Sequence, residues 1–145
     1  MVDKELLQKK ILLQKIRNEV SKIEGISVLD YEENDFFDKE ILREIGYYGD
    51  TKQPEDAITM DVSEKELLSW IMERVTFKEA EICYLPYFPC LVKIQFLDVK
   101  TALRSMWLLD HHICILTLDK KWIYEVGSDS RDEYHTLFDR YHLPK

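Results

Sequence analysis

The sequence predicts an α+β fold, in which a mostly antiparallel sheet of about four to five strands packs with a long N-terminal helix and three to four further helices. Three observations lead to this prediction. An apolar stripe of helical period opens the chain, and strand-like segments in the second half follow one another closely enough to pair. The 145 residues, of which 46 % are hydrophobic and 33 % charged, suit one globular domain spanning residues 1–145.

Residues 3–24 are predicted to form the long helix, with Gly25 as its natural stop. The apolar stripe recurs at spacings of seven, three, four and three residues, through Leu6, Leu13, Ile16, Val20 and Ile23. We expect this face to lie on the sheet. A dimerising coiled coil is the alternative, although Lys10 and Arg17 interrupt its seam.

The next segment alternates short elements with polar connections. A strand is expected over 26–31, a helix over 36–45 capped by Asn34 or Asp35, and a loop over 47–57. A capping box then opens a helix that runs to about residue 74. Its two members are Ser63 and Glu66.

The second half is richer in strands. Strands are expected over 79–84 and 90–96, joined through prolines that keep their ends short, and a helix over 98–108 follows. Residues 112–118 are dense in Ile and Leu, which predicts a central strand buried on both faces. A tight turn leads to an antiparallel strand over 122–126, and residues 128–141 are predicted to be a C-terminal helix.

Composition excludes several classes of function. The longest apolar runs are far below the ~20 residues of a membrane span, and the N-terminus lacks the uninterrupted apolar region of a signal peptide. We therefore expect a cytoplasmic protein with reduced thiols at Cys83, Cys90 and Cys114. A pI near 5.0 without a dominant basic patch argues against nucleic acid. No glycine-rich phosphate loop is present, and no cofactor is expected.

Residues 30–56 hold almost all of the net charge. They contain ten acidic and three basic residues, a net of −7 within a whole-chain charge of −8. Such dense like charge opposes folding but can steer a basic partner, which neighbouring aromatic side chains can anchor. The residues predicted to bind this partner are Asp30, Tyr31, Glu32, Glu33, Asp35, Asp38, Tyr47, Tyr48, Asp50, Glu55 and Asp56.

The acidic segment suggests a non-enzymatic protein that binds and inhibits another protein. For its oligomeric state, a monomer is favoured. Nuclease sites are basic because they hold phosphates, so an acidic surface can plug one by charge complementarity. In size, pI and lack of a reaction motif, the chain is similar to the broad class of bacterial immunity proteins that neutralise toxin domains. The likeness is one of overall character and not of matched residues. It implies a basic toxin domain as partner.

Two alternatives remain open. A small enzyme or metal-binding protein would use His111, His112 and Cys114, with Cys83 or His135 as a further ligand, or a thiol nucleophile at Cys114 assisted by His135 and Glu125. The spacing matches no established zinc pattern, so no metal ligands are assigned. A structural or assembly subunit would associate through the N-terminal helix.

Overall fold

In a computed structural model of the protein, residues 3–33, 55–87, 90–127 and 135–143 are described. The elements, in chain order, are α1 (Lys4–Val20), β1 (Ile26–Glu33), β2 (Asp56–Thr59), α2 (Glu64–Arg74), β3 (Ile82–Tyr87), β4 (Cys90–Phe96), α3 (Val99–Asp110), β5 (Ile113–Thr117), β6 (Trp122–Gly127) and β7 (His135–His142).

The strands form one sheet in the order β1-β4-β3-β5-β6-β7-β2, and every neighbouring pair is antiparallel. The predicted architecture was therefore wrong in its counts. The sheet has seven strands instead of four to five, and the described ranges contain three helices instead of four to five. The two strands that the sequence did not indicate, β2 and β7, lie side by side at one end of the sheet.

The predicted C-terminal helix over 128–141 was wrong, because residues 135–142 form β7. Tyr134, Leu137, Phe138 and Tyr141 fall at helical spacing, so the sequence pattern alone favours a helix. Pairing decides otherwise, since β7 lies between β6 and β2 and satisfies its backbone on both sides. The preceding residues 128–134 lie outside the described ranges.

Strand β2 begins within the segment that was predicted to be a loop. It pairs with β7 from Asp56 opposite Phe138 to Thr59 opposite His135. A four-residue strand at an edge is too short to show an alternating pattern. The predicted helix over 36–45 and residues 47–54 of the predicted loop lie outside the described residues.

The core occupies both faces of the sheet. On the first face all three helices contribute buried side chains, such as Val20, Ile71 and Leu103, which pack with strand residues. A smaller buried cluster on the second face consists of Tyr84, Leu91, Leu116, Ile123, Tyr141 and Leu143. Strand β5 is the middle strand of the seven, and Ile115 and Leu116 point to opposite faces with no exposed area. The prediction that this strand is central and buried on both faces is confirmed.

The segment that connects α1 to β1 packs against α3. Helix α1 begins at its cap, Asp3, and stops at Val20, before the predicted end at residue 24. Gly25 adopts φ +79°, and its carbonyl accepts hydrogen bonds from the amides of Leu97 and Asp98. The Glu24 amide donates a hydrogen bond to the Ser105 hydroxyl, so the segment that follows α1 runs along α3.

Candidate functional site

The described parts of the predicted acidic surface lie at the two edges of the sheet. Asp30 to Glu33 belong to β1, whereas Glu55 and Asp56 lie at the start of β2. Six strand spacings of about 4.8 Å separate these edge strands, or about 29 Å. The predicted residues Asp35, Asp38, Tyr47, Tyr48 and Asp50 lie outside the described residues.

Residues of β1 divide between surface and core. Tyr31 packs against the core cluster beneath the Arg17 guanidinium, which is 5.0 Å from its ring centroid. Asp30 is exposed, while Glu32 is half-buried and faces the phenol of Tyr84. Glu33 is exposed and lies 3.9 Å from Lys9. The exposed carboxylates of β1 are therefore more accessible to a partner than Tyr31, which is half-buried.

The carboxylates near β2 are engaged by arginines. Asp56 pairs with Arg74, and the pKa of its carboxyl is lowered by the Ala57 amide and then by Arg74. Glu55 lies 3.5 Å from Arg140. Both groups remain partly exposed, so these pairs are weak. They nevertheless reduce the charge that this edge offers to a partner.

The side chains of the two adjacent histidines, His111 and His112, make different contacts. His111 ends α3 in the left-handed conformation, with φ 51°, and its ring lies 5.4 Å from that of Trp107. His112 instead places Nε2 2.9 Å from a carboxylate oxygen of Glu125 on β6. Gly127 makes room for this imidazole, since a Cβ there would lie 2.9 Å from His112 Cδ2.

Glu125 is the centre of a polar row across β5, β6 and β7 on the second face of the sheet. It lies directly opposite Cys114 on one side and Asp139 on the other. Burial raises the pKa of the Glu125 carboxyl, while the hydrogen bond to His112 opposes that shift and the Asp139 carboxylate adds to it. A desolvated carboxylate paired with an imidazole can exchange protons with a ligand near His112.

The possible ligands of a metal do not gather. Among the described residues, no three His, Cys, Asp or Glu side chains are arranged to hold a metal ion. Cys83 has no exposed area and points to the helical face, whereas Cys114 points to the opposite face. Burial also raises the pKa of the Cys83 thiol, which keeps it protonated.

A cavity of about 280 Å³ lies where the C-terminal halves of α1 and α3 meet the ends of β3 and β5. Four of the residues that line it are apolar and buried. They are Ile23, Leu85, Met106 and Ile113. Small-molecule pockets usually begin at about 300 Å³, so the space suits one long side chain or a small ligand better than a cofactor.

The mouth of the cavity carries charge. Glu19 comes from the last turn of α1, Asp110 is the last residue of α3, and Lys22 follows α1. Tyr87 lies between these elements, and its pKa is raised to about 12, first by burial and then by the Asp110 and Glu19 carboxylates. Within the described ranges, neither Glu19 nor Asp110 forms a salt bridge. The lining also includes Pro86, Leu109, His112 and Cys114.

Sequence reasoning did not find Glu19 or Tyr87, and it considered Asp110 only as a possible metal ligand beside His111 and His112. These three residues are distant from one another in the chain, and the sequence around each of them contains no functional motif. One signal was present: acidic residues occupy the C-terminal turns of two helices, where the negative end of the helix dipole disfavours them. A local violation of this kind often marks a functional position.

The first half of α1 contributes little to the core. Residues 4–12 are all exposed, including Leu6, Leu7, Ile11 and Leu12, and the buried stripe of the helix starts only with Leu13 and Ile16. Leu6, predicted to face the sheet, is 52 % exposed. Leu7 and Ile11 share a helical face that the stripe does not include.

Comparison with known proteins gives no relative: no protein family model, no curated protein and no solved structure matches this chain. In the part of the chain that is described, no helix combines the length and the apolar character needed to cross a membrane.

Proposed function

We propose that the chain is a non-enzymatic binding protein that docks on a basic protein partner, and that a toxin domain with a phosphate-binding site, such as a nuclease, is the partner it neutralises. The observation that carries this proposal is the meeting of carboxylates from three elements at one end of the sheet. Glu33 ends β1, Glu19 lies in the last turn of α1, and Asp110 ends α3.

Register relates these groups to one another. Glu33 lies opposite Cys90, and Cys90 lies opposite Tyr87, whose phenol feels both Glu19 and Asp110. Two strand spacings, about 10 Å, therefore separate Glu33 from the mouth of the cavity. This spacing supports a single acidic surface that reaches from β1 to the ends of the two helices.

The partner is expected to meet side chains and not the strand backbone of β1. Asp30 and Glu33 are exposed on this edge strand, and its register shifts between Val28 and Asp30. Charged side chains and bulges on an edge oppose the addition of another strand. Charge complementarity, which accelerates encounter, is the favoured mode of association.

The test begins with capture on the immobilised protein at low salt from a lysate of the source cells, followed by identification of the bound protein. Association rates are then measured against salt for Asp30→Lys/Glu33→Lys and for Asp35→Lys/Asp38→Lys. Each pair of changes should slow association roughly tenfold at low salt and flatten the salt dependence. Asp61→Lys, an exposed change next to β2, is the matched control.

The proposal also requires an effect on the partner's activity. One equivalent of the chain should block the captured enzyme, and the charge-reversed variants should need a higher concentration to do so. Unchanged association rates in both double variants, or a captured protein whose activity the chain leaves intact, would contradict the proposal.

A second candidate is an acid–base or thiol site, which the 2.9 Å contact between His112 and Glu125 beside Cys114 favours. Here Cys114 would be the nucleophile, His112 its base and Glu125 the group that orients the imidazole. Rapid alkylation of Cys114 by iodoacetamide at neutral pH, lost in His112→Ala, would support it. Alkylation of Cys114 no faster than that of Cys83 and Cys90 would rule it out.

A further inference from the structure

The first half of α1 exposes large apolar side chains to solvent. Four of them fall within seven consecutive positions of the helix, and each is between 37 % and 62 % exposed. They are Leu6, Leu7, Ile11 and Leu12. A single exposed leucine is ordinary, but a group of neighbouring apolar side chains often marks a surface that a partner covers.

The described contacts of this half of the helix do not account for these side chains. Arg17, in the second half, lies over the ring of Tyr31 on β1. Further along, Lys9 is 3.9 Å from Glu33, the last residue of that strand. Residues 4–8 therefore extend past the end of β1. All residues from 4 to 12 are exposed, so within the described ranges they do not pack on the sheet.

The four apolar positions surround the helix instead of sharing one face. Since successive residues are about 100° apart, these positions span about 240° of the helix circumference. The remaining sector continues the stripe of Leu13, Ile16 and Val20, which pack on the core of the protein itself. A bilayer surface or one neighbouring helix covers a single face and would leave part of this apolar surface in water. A groove encloses a helix on several sides, which suits a helix that is apolar all round.

The same segment is basic. Residues 4–15 contain four lysines and one glutamate, within a chain whose net charge is −8. Among the described residues, Lys4, Lys10 and Lys15 form no salt bridge, and Lys9 has only its long contact with Glu33. Lysine stems can lie along an apolar wall while their charged heads reach carboxylates at its rim. Basic helices with exposed apolar side chains are typical ligands of such acidic grooves.

Charge also argues against the other occupants of this surface. Pairing of α1 with the same helix of a second copy would place two sets of lysines side by side, and like charges across an interface oppose association. The net charge of the whole chain opposes binding to an anionic bilayer in the same way. An acidic protein groove meets neither objection.

We propose that the first half of α1 inserts into an apolar groove with an acidic rim on a protein partner. The four apolar side chains fill the groove, and the lysine heads reach carboxylates along its rim. This partner is opposite in charge to the basic partner proposed above. The inference therefore goes beyond the proposed function and does not rest on it.

Photo-crosslinking in the source cells identifies the occupant. The full chain carries p-benzoylphenylalanine in place of Ile11, the most exposed of the four side chains. The same photoreactive residue in place of Leu118, an exposed leucine outside α1, is the control. Mass spectrometry of the adduct specific to position 11 should identify an acidic protein. An adduct with a second copy of the chain, an adduct with lipid, or no adduct specific to this position would each overturn the proposal.

The identified protein is then purified, and its affinity for variants of the full chain is measured by calorimetric titration at low and high salt. Leu7→Gln/Ile11→Gln, which introduces good helix formers, should weaken binding roughly tenfold or more because apolar burial is lost. Lys10→Glu/Lys15→Glu should weaken binding about tenfold at low salt and less at high salt, because salt screens the lost attraction.

Two matched changes outside α1 serve as controls. Leu118→Gln and Lys65→Glu, both at exposed positions, should leave the affinity unchanged. Circular dichroism and urea unfolding confirm that each variant is folded. An affinity that is unaltered by either double change in α1 would overturn the proposal. The same holds if the chain binds vesicles of equal parts phosphatidylcholine and phosphatidylserine and Leu7→Gln/Ile11→Gln abolishes that binding.

Discussion

The imidazole of His112 lies against the backbone of Gly127, so closely that a methyl group at position 127 would be 2.9 Å from Cδ2 of the ring. Gly127→Ala should therefore displace His112 from Glu125 and lower the free energy of unfolding by up to about 1 kcal/mol, less than the cost of overpacking a core, because the exposed ring can rotate away. Urea unfolding measures the loss, and the ¹H–¹³C signals of the ring report its displacement.

The added methyl group of Gly127→Ala would clash with a side chain and not with backbone, so removing that side chain provides a control. His112→Ala removes the ring, so adding Gly127→Ala to that variant should cost much less than it does in the natural chain. Equal costs in the two backgrounds would mean that the ring does not depend on Gly127.

The raised pKa of Glu125 predicts how the stability of the protein depends on pH. Burial, the largest cause, raises this pKa above its ordinary value of 4.5, so the folded protein holds the proton more tightly than the unfolded chain does. Ionisation of Glu125 therefore opposes folding, and its contribution to stability falls as pH rises from 4.5 through the folded pKa. Glu125→Gln cannot ionise, so its stability relative to the natural chain should increase between pH 4.5 and pH 7.

Urea unfolding at several pH values measures this difference. Glu24→Gln, a change at an exposed carboxylate, should show no comparable trend. A Glu125→Gln variant that loses stability relative to the natural chain as pH rises would show that the His112 interaction outweighs burial.

Gly25 is predicted to be the least replaceable glycine among those the structure describes. Its φ of +79° is costly for other residues, and a Cβ there would lie 2.7 Å from the backbone oxygen of Asp98 and 2.8 Å from the amide nitrogen of Ala102. Since no side-chain rotation relieves contacts with backbone, Gly25→Ala should cost about 3 kcal/mol or more. Denaturant unfolding should place it well below Gly127→Ala, and a smaller loss would show that the turn can relax.

The sequence predicted correctly those features that depend on residues close together in the chain. Ser63 caps α2 by accepting a hydrogen bond from the Glu66 amide at 3.1 Å, as the capping box predicts. The Ile- and Leu-rich pattern of β5 announced its central position. Each of these features depends on residues within a few positions of one another.

The sequence-based predictions failed where residues far apart in the chain determine the structure. The proline in β3 was predicted to end the strand, yet Pro86 pairs with Leu91 within it. Pairing between β3 and β5 is confined to Cys83 and Tyr84, so the amide that proline lacks does not interrupt it. The cavity is the same kind of case, because Glu19, Tyr87 and Asp110 meet only after the helices pack.

Strand β7 provides the sharpest test of the corrected fold. Phe138 is 3 % exposed and packs on the helical face, between Val126 of β6 and Asp56 of β2 in register. Phe138→Ala should cost about 3–5 kcal/mol, the range for a deleted core phenylalanine. Leu118→Ala, at an exposed leucine, should cost less than about 0.5 kcal/mol. Among the described strands β2 pairs with β7 alone, so hydrogen exchange of the Ala57 to Thr59 amides should also accelerate in the Phe138 variant. Unchanged exchange there would show that β2 does not depend on β7 for its protection.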